Sequence, residues 1–491
     1  MTALLASAPL GAILLGMVVL RRSAVVSGTV GLALALVLAL TVFRPTNSAV
    51  ASLLGGVGAE AVHATATILW IIFPALALYE FQKASGAILR IRDMLASLTD
   101  NRRLQAILIA WFFGLFMEGA AGFGTPVALA APLLVGLGYT PVRAVVLALL
   151  GHAAGVSFGA VGTPALAQVE LSGLDGQAIA LRTAALHAVC GPVLLFSMVR
   201  LAADAPFTRG DVVWTLSAAA CFLLPSLLLA GFIGPELPTL GGALIGAALF
   251  IALLRPGKRF AGGAWDKLLA DLAPYILILA FVLVTRLVPP VQDALQGVRV
   301  GWEMDGGFSG WFQPLYHPGT LLLLGLVLGS VLTGRAALLR EAIGAALRRL
   351  SPVALALLVM LALSRLMVHA GMINLLATAA SGAGTAWPFV APLVGVLGTF
   401  ITGSATASNI LFTQLQTTTA SSLALPPTLL VAAQGFGAAI GNVVAPHNII
   451  AGSATVGLSG REGEILTRTV LPCLIYTVCG GAAVFLALRL I

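Results

Sequence analysis

The chain has 491 residues, 59% of them hydrophobic and only 9% charged, where soluble domains carry about 25% charged residues. That excludes a soluble globular protein and specifies a polytopic membrane protein. The net charge of +8 is no nucleic-acid footprint, because the basic residues fall mostly in short loops, where they set orientation in the lipid bilayer.

In chain order, apolar runs of spanning length occur near residues 4–20, 23–43, 62–80, 141–171, 179–199, 213–231, 238–254, 269–287, 318–334, 351–370, 427–458 and 468–490. The first has its flanking charges, Arg21 and Arg22, after the apolar run, and a second span follows at once, so it reads as a retained helix and not a secretory signal. Two further apolar pairs differ: 104–117 with 123–137, and 388–401 with 410–425. Each arm is about 15 residues, roughly 22 Å of helix, short of a ~30 Å hydrocarbon core. The last arm also carries Gln414, Gln416, Thr417, Thr418 and Thr419. Such an arm does not face lipid, and both pairs read as re-entrant hairpins packed inside protein.

Loop charges test this map. Alternating from cytoplasmic Arg21 and Arg22, one side collects Lys83, Arg90, Arg92, Arg102, Arg103, Arg143, Arg200, Arg209, Arg255, Lys258, Arg259, Lys267, Arg335, Arg340, Arg348, Arg349, Arg461 and Arg468. The other keeps Arg44, Arg182, Arg286, Arg299 and Arg489, with Glu170, Asp175, Glu236, Glu303 and Asp305. The bias, roughly four to one, places both termini outside, provided that the hairpins do not cross.

The stretch 116–127, F-M-E-G-A-A-G-F-G-T-P-V, sets one carboxylate, three glycines and a proline in an apolar region. It breaks the helix, and non-helical backbone at membrane depth persists only where protein or a cavity surrounds it. Gly114-Leu-Phe-Met-Glu118-Gly119 has a counterpart in Gly398-Thr-Phe-Ile-Thr402-Gly403, and a second break follows each hairpin: G-V-S-F-G-A-V-G-T-P at 155–164 and G-A-A-I-G-N-V-V-A-P at 437–446. An odd number of spans separates the hairpins, so they enter from opposite sides. Inverted repeats with interrupted helices meeting near the midplane are the architecture of secondary transporters. The fold expected is therefore an all-α polytopic membrane protein of about 12 transmembrane helices plus two re-entrant hairpins in inverted repeats with discontinuous helices. Its parts are 1–103, 104–200 (first repeat core), 201–387 and 388–491 (second repeat core).

These residues carry a resemblance. The run E-G-A-A-G-F-G-T-P-V-A, with L-T-D-N-R-R-L-Q before it and L-L-V-G-L-G-Y-T-P after it, resembles bacterial L-lactate permeases. So do F-G-A-V-G-T-P, G-P-E-L-P at 234–238, T-G-S-A-T-A-S-N at 402–409 and G-L-S-G-R-E-G-E at 457–464. The resemblance spans nearly the whole chain. It implies a bacterial inner-membrane protein that takes up lactate, and often glycolate, with protons, and distant kinship with carboxylate symporters built from paired hairpins. Where the family usually has an acidic residue in the second hairpin tip, Ala405 stands here, and Asn442 stands where a lysine is usual. Acid and base read as two halves of one interaction lost together, which bears on coupling and substrate.

A carboxylate entering the bilayer needs its charge met. Half-helix N-termini at the breaks offer free amides and a positive dipole end. Gly122, Gly124, Thr125, Gly162, Thr163, Ser404, Thr406, Ser408, Asn409 and Asn442 are the polar and open positions beside them, although hydroxyls in membrane helices often bond only their own backbone. Arg365 lies inside the span 351–370, where it costs at least ~2.5 kcal/mol unless it faces protein. It reads as a fork for the substrate carboxylate, as a structural partner of Glu118, or as a snorkelling side chain. Proton coupling needs a titrating group near the site; Glu118 comes first, then His152, His369 and His447. Sodium is the competing ion, other 2-hydroxy or 2-oxo acids the competing cargo, and a passive anion channel the competing class. The four cysteines form neither metal spacing nor disulfide framework, Gly257-Lys258 is no phosphate loop, and neither a cofactor nor an enzyme's nucleophile–base pair is expected.

Overall fold

Where glycine and proline leave the backbone alone, the apolar sequence runs on as helix, since in lipid each amide must bond within its own segment. The computed structural model describes residues 2–20, 22–44, 50–122, 124–254, 264–458 and 460–490. Expected loop charges Arg21, Arg255, Lys258 and Arg259, and Phe123 of the first break, lie outside them. Among the described residues 12 helices are long and apolar enough to cross a membrane. Their number matches expectation but their membership shifts. Pro238–Leu254 and Pro318–Leu332, expected as spans, are shorter apolar helices of 17 and 15 residues. The first arms of the two hairpins take their place, as Arg102–Ala120 and Gly384–Thr402. The first arm starts early because the Asn101 side chain accepts from the Arg103 and Leu104 amides, an N-cap placed ahead of the apolar run.

The chain folds in two tiers. Thr2–Val19 is only 17% buried, whereas the most apolar 18-residue stretches of Arg102–Ala120 and Pro141–Ser172 are wholly enclosed by protein. Close packing at the centre depends on small residues. A Cβ on Gly437 would land on the Pro392 carbonyl, and one on Gly395 would lie 2.5 Å from the Ala438 amide, so Trp387–Thr402 and Pro427–Gly441 cross with their backbones nearly touching. Polar side chains of the second hairpin face this interior: Thr413, Gln416 and Thr419 are fully buried.

One element was not anticipated. Val300–Met304 pairs antiparallel with Phe308–Phe312, Trp302 opposite Gly310, around a turn in which Gly306 and Gly307 both have positive φ. The glycine pair between aromatic-rich segments is a hairpin signal that spanning-length patterns hide.

Candidate functional site

Four helices begin at the breaks. The first arm of hairpin one ends at Ala120, Gly122 and Gly124 turn the chain at φ 57° and 78°, and Thr125–Gly136 folds back with Pro126 in its first turn. The Thr125 hydroxyl donates to the Gly122 carbonyl at 2.7 Å. Hairpin two ends its first arm at Gly403, φ 71°, and starts its second at Ala405, with Ser404 as N-cap accepting from the Ala407 amide. The expected unwinding of 403–409 is therefore confined to Gly403 and Ser404. The serine cap restores the helix at once, and Thr406, Ser408 and Asn409 sit on its first turns.

The broken helices differ from each other. Pro141–His152 passes into a tighter 3₁₀ segment, Ala153–Phe158, and then Ala160, Val161 and Gly162 adopt left-handed backbone before the helix resumes toward Ser172. Left-handed backbone at a β-branched valine costs about 1–2 kcal/mol and survives only where packing imposes it. Here the packing is Gly162, whose Cβ would meet the Pro235 carbonyl. Thr163 donates to the Ala160 carbonyl at 2.6 Å. In the second half Pro427–Gly441 stays helical through 437–441, and the chain unwinds only over 442–445 before Pro446–Thr455.

Contacts join all four breaks. Within the first half, Glu118 lies against Gly159, and Gly122 against Ala160. Within the second, Gly403 faces His447, and Thr399 donates to the Ala438 carbonyl. Across halves, Asn448 approaches Gly124, and Asn409 Nδ2 donates to the Pro164 carbonyl at 3.0 Å. Val156, Ala405, Ala438 and Ala439 form one buried cluster between them. The packing is crossed: Thr125–Gly136 leans on Pro446–Thr455, with Val127 against Gly452, while Ala405–Ser422 leans on the end of the first broken helix, with Gln414 donating to the Leu171 carbonyl.

Charge and polarity at this junction are sparse. Glu118 is buried, and its Oε2 stands 3.9 Å from His152 Nε2. His152 Nδ1 lies 2.6 Å from the Ala148 carbonyl, which only accepts, so Nδ1 carries a hydrogen and, in the neutral ring, Nε2 turns its lone pair toward Glu118. Asn409 is fully buried; since Pro164 takes its amide, Oδ1 points the other way and has no donor among the described residues. Ser408 donates to the Gly395 carbonyl at 2.9 Å and accepts from Gln434. Asn442 bonds Asn448. Thr125, Thr163 and Ser408 thus place their hydroxyl hydrogens on backbone carbonyls, as hydroxyls in membrane helices often do, and Ser408 also spends a lone pair on Gln434.

Two expected residues stand elsewhere. Arg365 faces Glu60, not Glu118, with Nε 3.6 Å from Oε2, and His369 Nε2 meets the same oxygen at 2.9 Å. His447 is exposed beside Gly403. Other groups were missed from sequence. Asn448, two residues past the Pro446 break, was signalled only by that spacing. A buried chain runs Tyr476 hydroxyl to His187 Nδ1 (2.7 Å), His187 Nε2 to Ser157 (2.8 Å) and Ser157 to the Gly435 carbonyl (3.0 Å). Its last acceptor fixes every hydrogen upstream, and it rivets the 3₁₀ segment to three other helices.

A family model described as L-lactate permease matches residues 2–309 and 303–491. The glycolate permease GlcA of Escherichia coli (strain K12) is 30% identical, covering 97% of this chain and 94% of that protein. An L-lactate permease of Bacillus subtilis (strain 168) is 30% identical over 96% of this chain and 93% of its own. Among solved structures, MtrF of Neisseria gonorrhoeae has a similar fold, with a TM-score of 0.53 at 14% identity, covering 95% of each chain.

Proposed function

Because the chain belongs to the L-lactate permease family, we propose that it is a secondary transporter that takes up a small 2-hydroxymonocarboxylate, lactate or glycolate, together with a proton. The observation that carries this reading is the meeting of four helix N-termini at joined breaks. Each presents unpaired amides and up to about half a positive charge, so together they meet a carboxylate without a lysine or arginine. That suits a chain with Asn442 at the second break and Ala405 on the hairpin tip. A 2-hydroxy acid brings a hydroxyl donor beside its carboxylate, and Asn409 Oδ1 is a buried acceptor that lacks a donor among the described residues. Burying such a donor–acceptor pair satisfied favours the hydroxy acid over its oxo analogue.

Glu118 and His152 are the coupling pair in this reading. One proton placed between Oε2 and Nε2 neutralises the site; its loss leaves a buried carboxylate whose repulsion weakens anion binding at the neighbouring break. The crossed packing of hairpins on half-helices supports an inverted repeat with two re-entrant hairpins, and the loop charges support outward termini in a bacterial inner membrane.

The test is uptake of labelled lactate into proteoliposomes under an imposed pH gradient or an imposed sodium gradient. Accumulation above equilibrium with the pH gradient, collapsing with an uncoupler, is expected. Accumulation with sodium alone reassigns the ion, and mere equilibration makes the protein a channel.

A further inference from the structure

Arg365 pairs more loosely than four other arginines of the protein. Arg90, Arg103, Arg286 and Arg335 each hold a carboxylate at 2.6–2.8 Å. The Arg365 side chain, 15% exposed on a membrane-spanning helix, has its Glu60 contact at 3.6 Å, and its buried Nε makes no hydrogen bond among the described residues. A guanidinium so placed costs several kcal/mol of desolvation and recovers little from so loose a pair. Glu60 meanwhile gives the shared Oε2 to His369. The cation is left with donors to offer.

Its surroundings form a second polar centre. His63 Nε2 lies 3.9 Å from the Glu170 carboxylate. Glu170 is seven residues beyond Thr163 on one helix, about 10 Å from the break. Ser364, beside Arg365, donates to the Ile410 carbonyl, one residue from Asn409. The centre therefore adjoins the junction of breaks through two elements that reach it. The β-hairpin covers it from the other direction. Phe308 lies on His369 with ring centroids 4.7 Å apart, Trp302 meets His63 edge-on at 5.8 Å, and Ser52 donates to the Asp305 carbonyl at 3.2 Å.

We propose that Arg365 is an outer docking subsite for a small monocarboxylate, held by Glu60 in the empty protein and roofed by the Val300–Phe312 hairpin, from which the anion passes to the helix breaks. The proposal rests on the transport reading above and adds a second carboxylate position to it. A monocarboxylate fits the chemistry: its two oxygens offer the bidentate partner that Glu60, shared with His369, does not. Glu60 then acts as a tethered competitor, and removing its charge strengthens anion binding.

The full-length protein, purified and reconstituted, tests this by lactate affinity and by uptake. Glu60→Gln is expected to lower both the Kd for lactate, read from ligand-induced thermal stabilisation, and the KM by at least threefold. Arg365→Lys, which keeps charge and loses the fork, is expected to raise both about tenfold with a maximal rate within twofold of the parent. Ser52→Cys/Asp305→Cys pins the roof: oxidation is expected to stop uptake and reduction to restore it. Glu60→Gln and Arg365→Gln failing alike, with the double variant regaining parental KM, makes the pair purely structural and overturns the proposal, as does full uptake with the roof pinned. If the parent protein takes up no lactate at all, the transport reading has failed; stabilisation by lactate that rises in Glu60→Gln and falls in Arg365→Lys still upholds the subsite, and its absence removes it.

Discussion

Gly159→Ala tests the coupling pair by geometry alone. Gly159 has extended backbone, φ −63° and ψ 156°, which alanine adopts freely, so no conformational strain confuses the outcome. The new Cβ lands on Glu118 Oε1 and stands 3.0 Å from the carboxyl carbon. Carbon atoms pack at about 3.5–4.0 Å and the clash with Oε1 is closer still, so the carboxylate must retreat by at least about 1 Å. His152 Nε2 lies 3.9 Å from the other carboxylate oxygen, Oε2. A retreat of that size in its direction brings the pair to about 3 Å, within hydrogen-bonding range. The loose pair becomes a tight one that holds its proton, at an overpacking cost of about 1–3 kcal/mol. Exchange of labelled for unlabelled lactate, which needs no proton release, should then continue, while net uptake driven by a pH gradient falls at least tenfold. Gly159→Ala/Glu118→Asp, with a shorter acid, should recover part of the net uptake. Parental net uptake in Gly159→Ala, or equal loss of both modes in a protein of normal thermal stability, would refute the assignment.

Asn409→Leu removes the free acceptor, and lactate affinity should fall about tenfold, roughly 1.4 kcal/mol. The Pro164 carbonyl loses its donor whatever the substrate, so the readout is the lactate-to-pyruvate ratio in competition assays; an unchanged ratio denies Asn409 a role in reading the hydroxyl. His187→Phe keeps the ring stacking on Phe436, now 4.8 Å between centroids, but takes the acceptor from the Tyr476 hydroxyl while Ser157 keeps the Gly435 carbonyl, at about 1–3 kcal/mol for the one group left unpaired. A clear drop in thermal midpoint in detergent is expected, and parental stability would mean that the chain is no rivet. Gly437→Ala drives a methyl into the Pro392 carbonyl, with the carbonyl carbon 2.6 Å away; backbone cannot yield there, and the variant should lose more stability than Gly173→Ala, whose site is open but left-handed.

Composition alone made the helices legible, because an apolar chain in lipid has few other ways to satisfy its amides. The breaks were legible too: glycine and proline at 119–126, 155–164, 403 and 446 marked them within a few residues. Their extent was not. A single serine, Ser404, restarts the second arm earlier than the run of small polar residues implied, whereas Ala160 and Val161 unwind although nothing in their own chemistry asks for it. Both outcomes are set by partners distant in sequence, the latter by the 234–236 loop against Gly162. Pairing was the least visible of all. Glu118 facing His152 follows from a helix-to-helix crossing, and Arg365 facing Glu60 rather than Glu118 depends on a span more than three hundred residues upstream.

The crossed seating of each hairpin on the other half's broken helix has a consequence for assembly. A chain severed between residues 254 and 264 yields two pieces, each owning one hairpin and one broken helix, and each missing the surface that its own half-helix rests on. Neither piece can complete an interior by itself, so complementation, not independent folding, is the expected behaviour: the two fragments should be recovered from the membrane as a bound pair, or degraded separately.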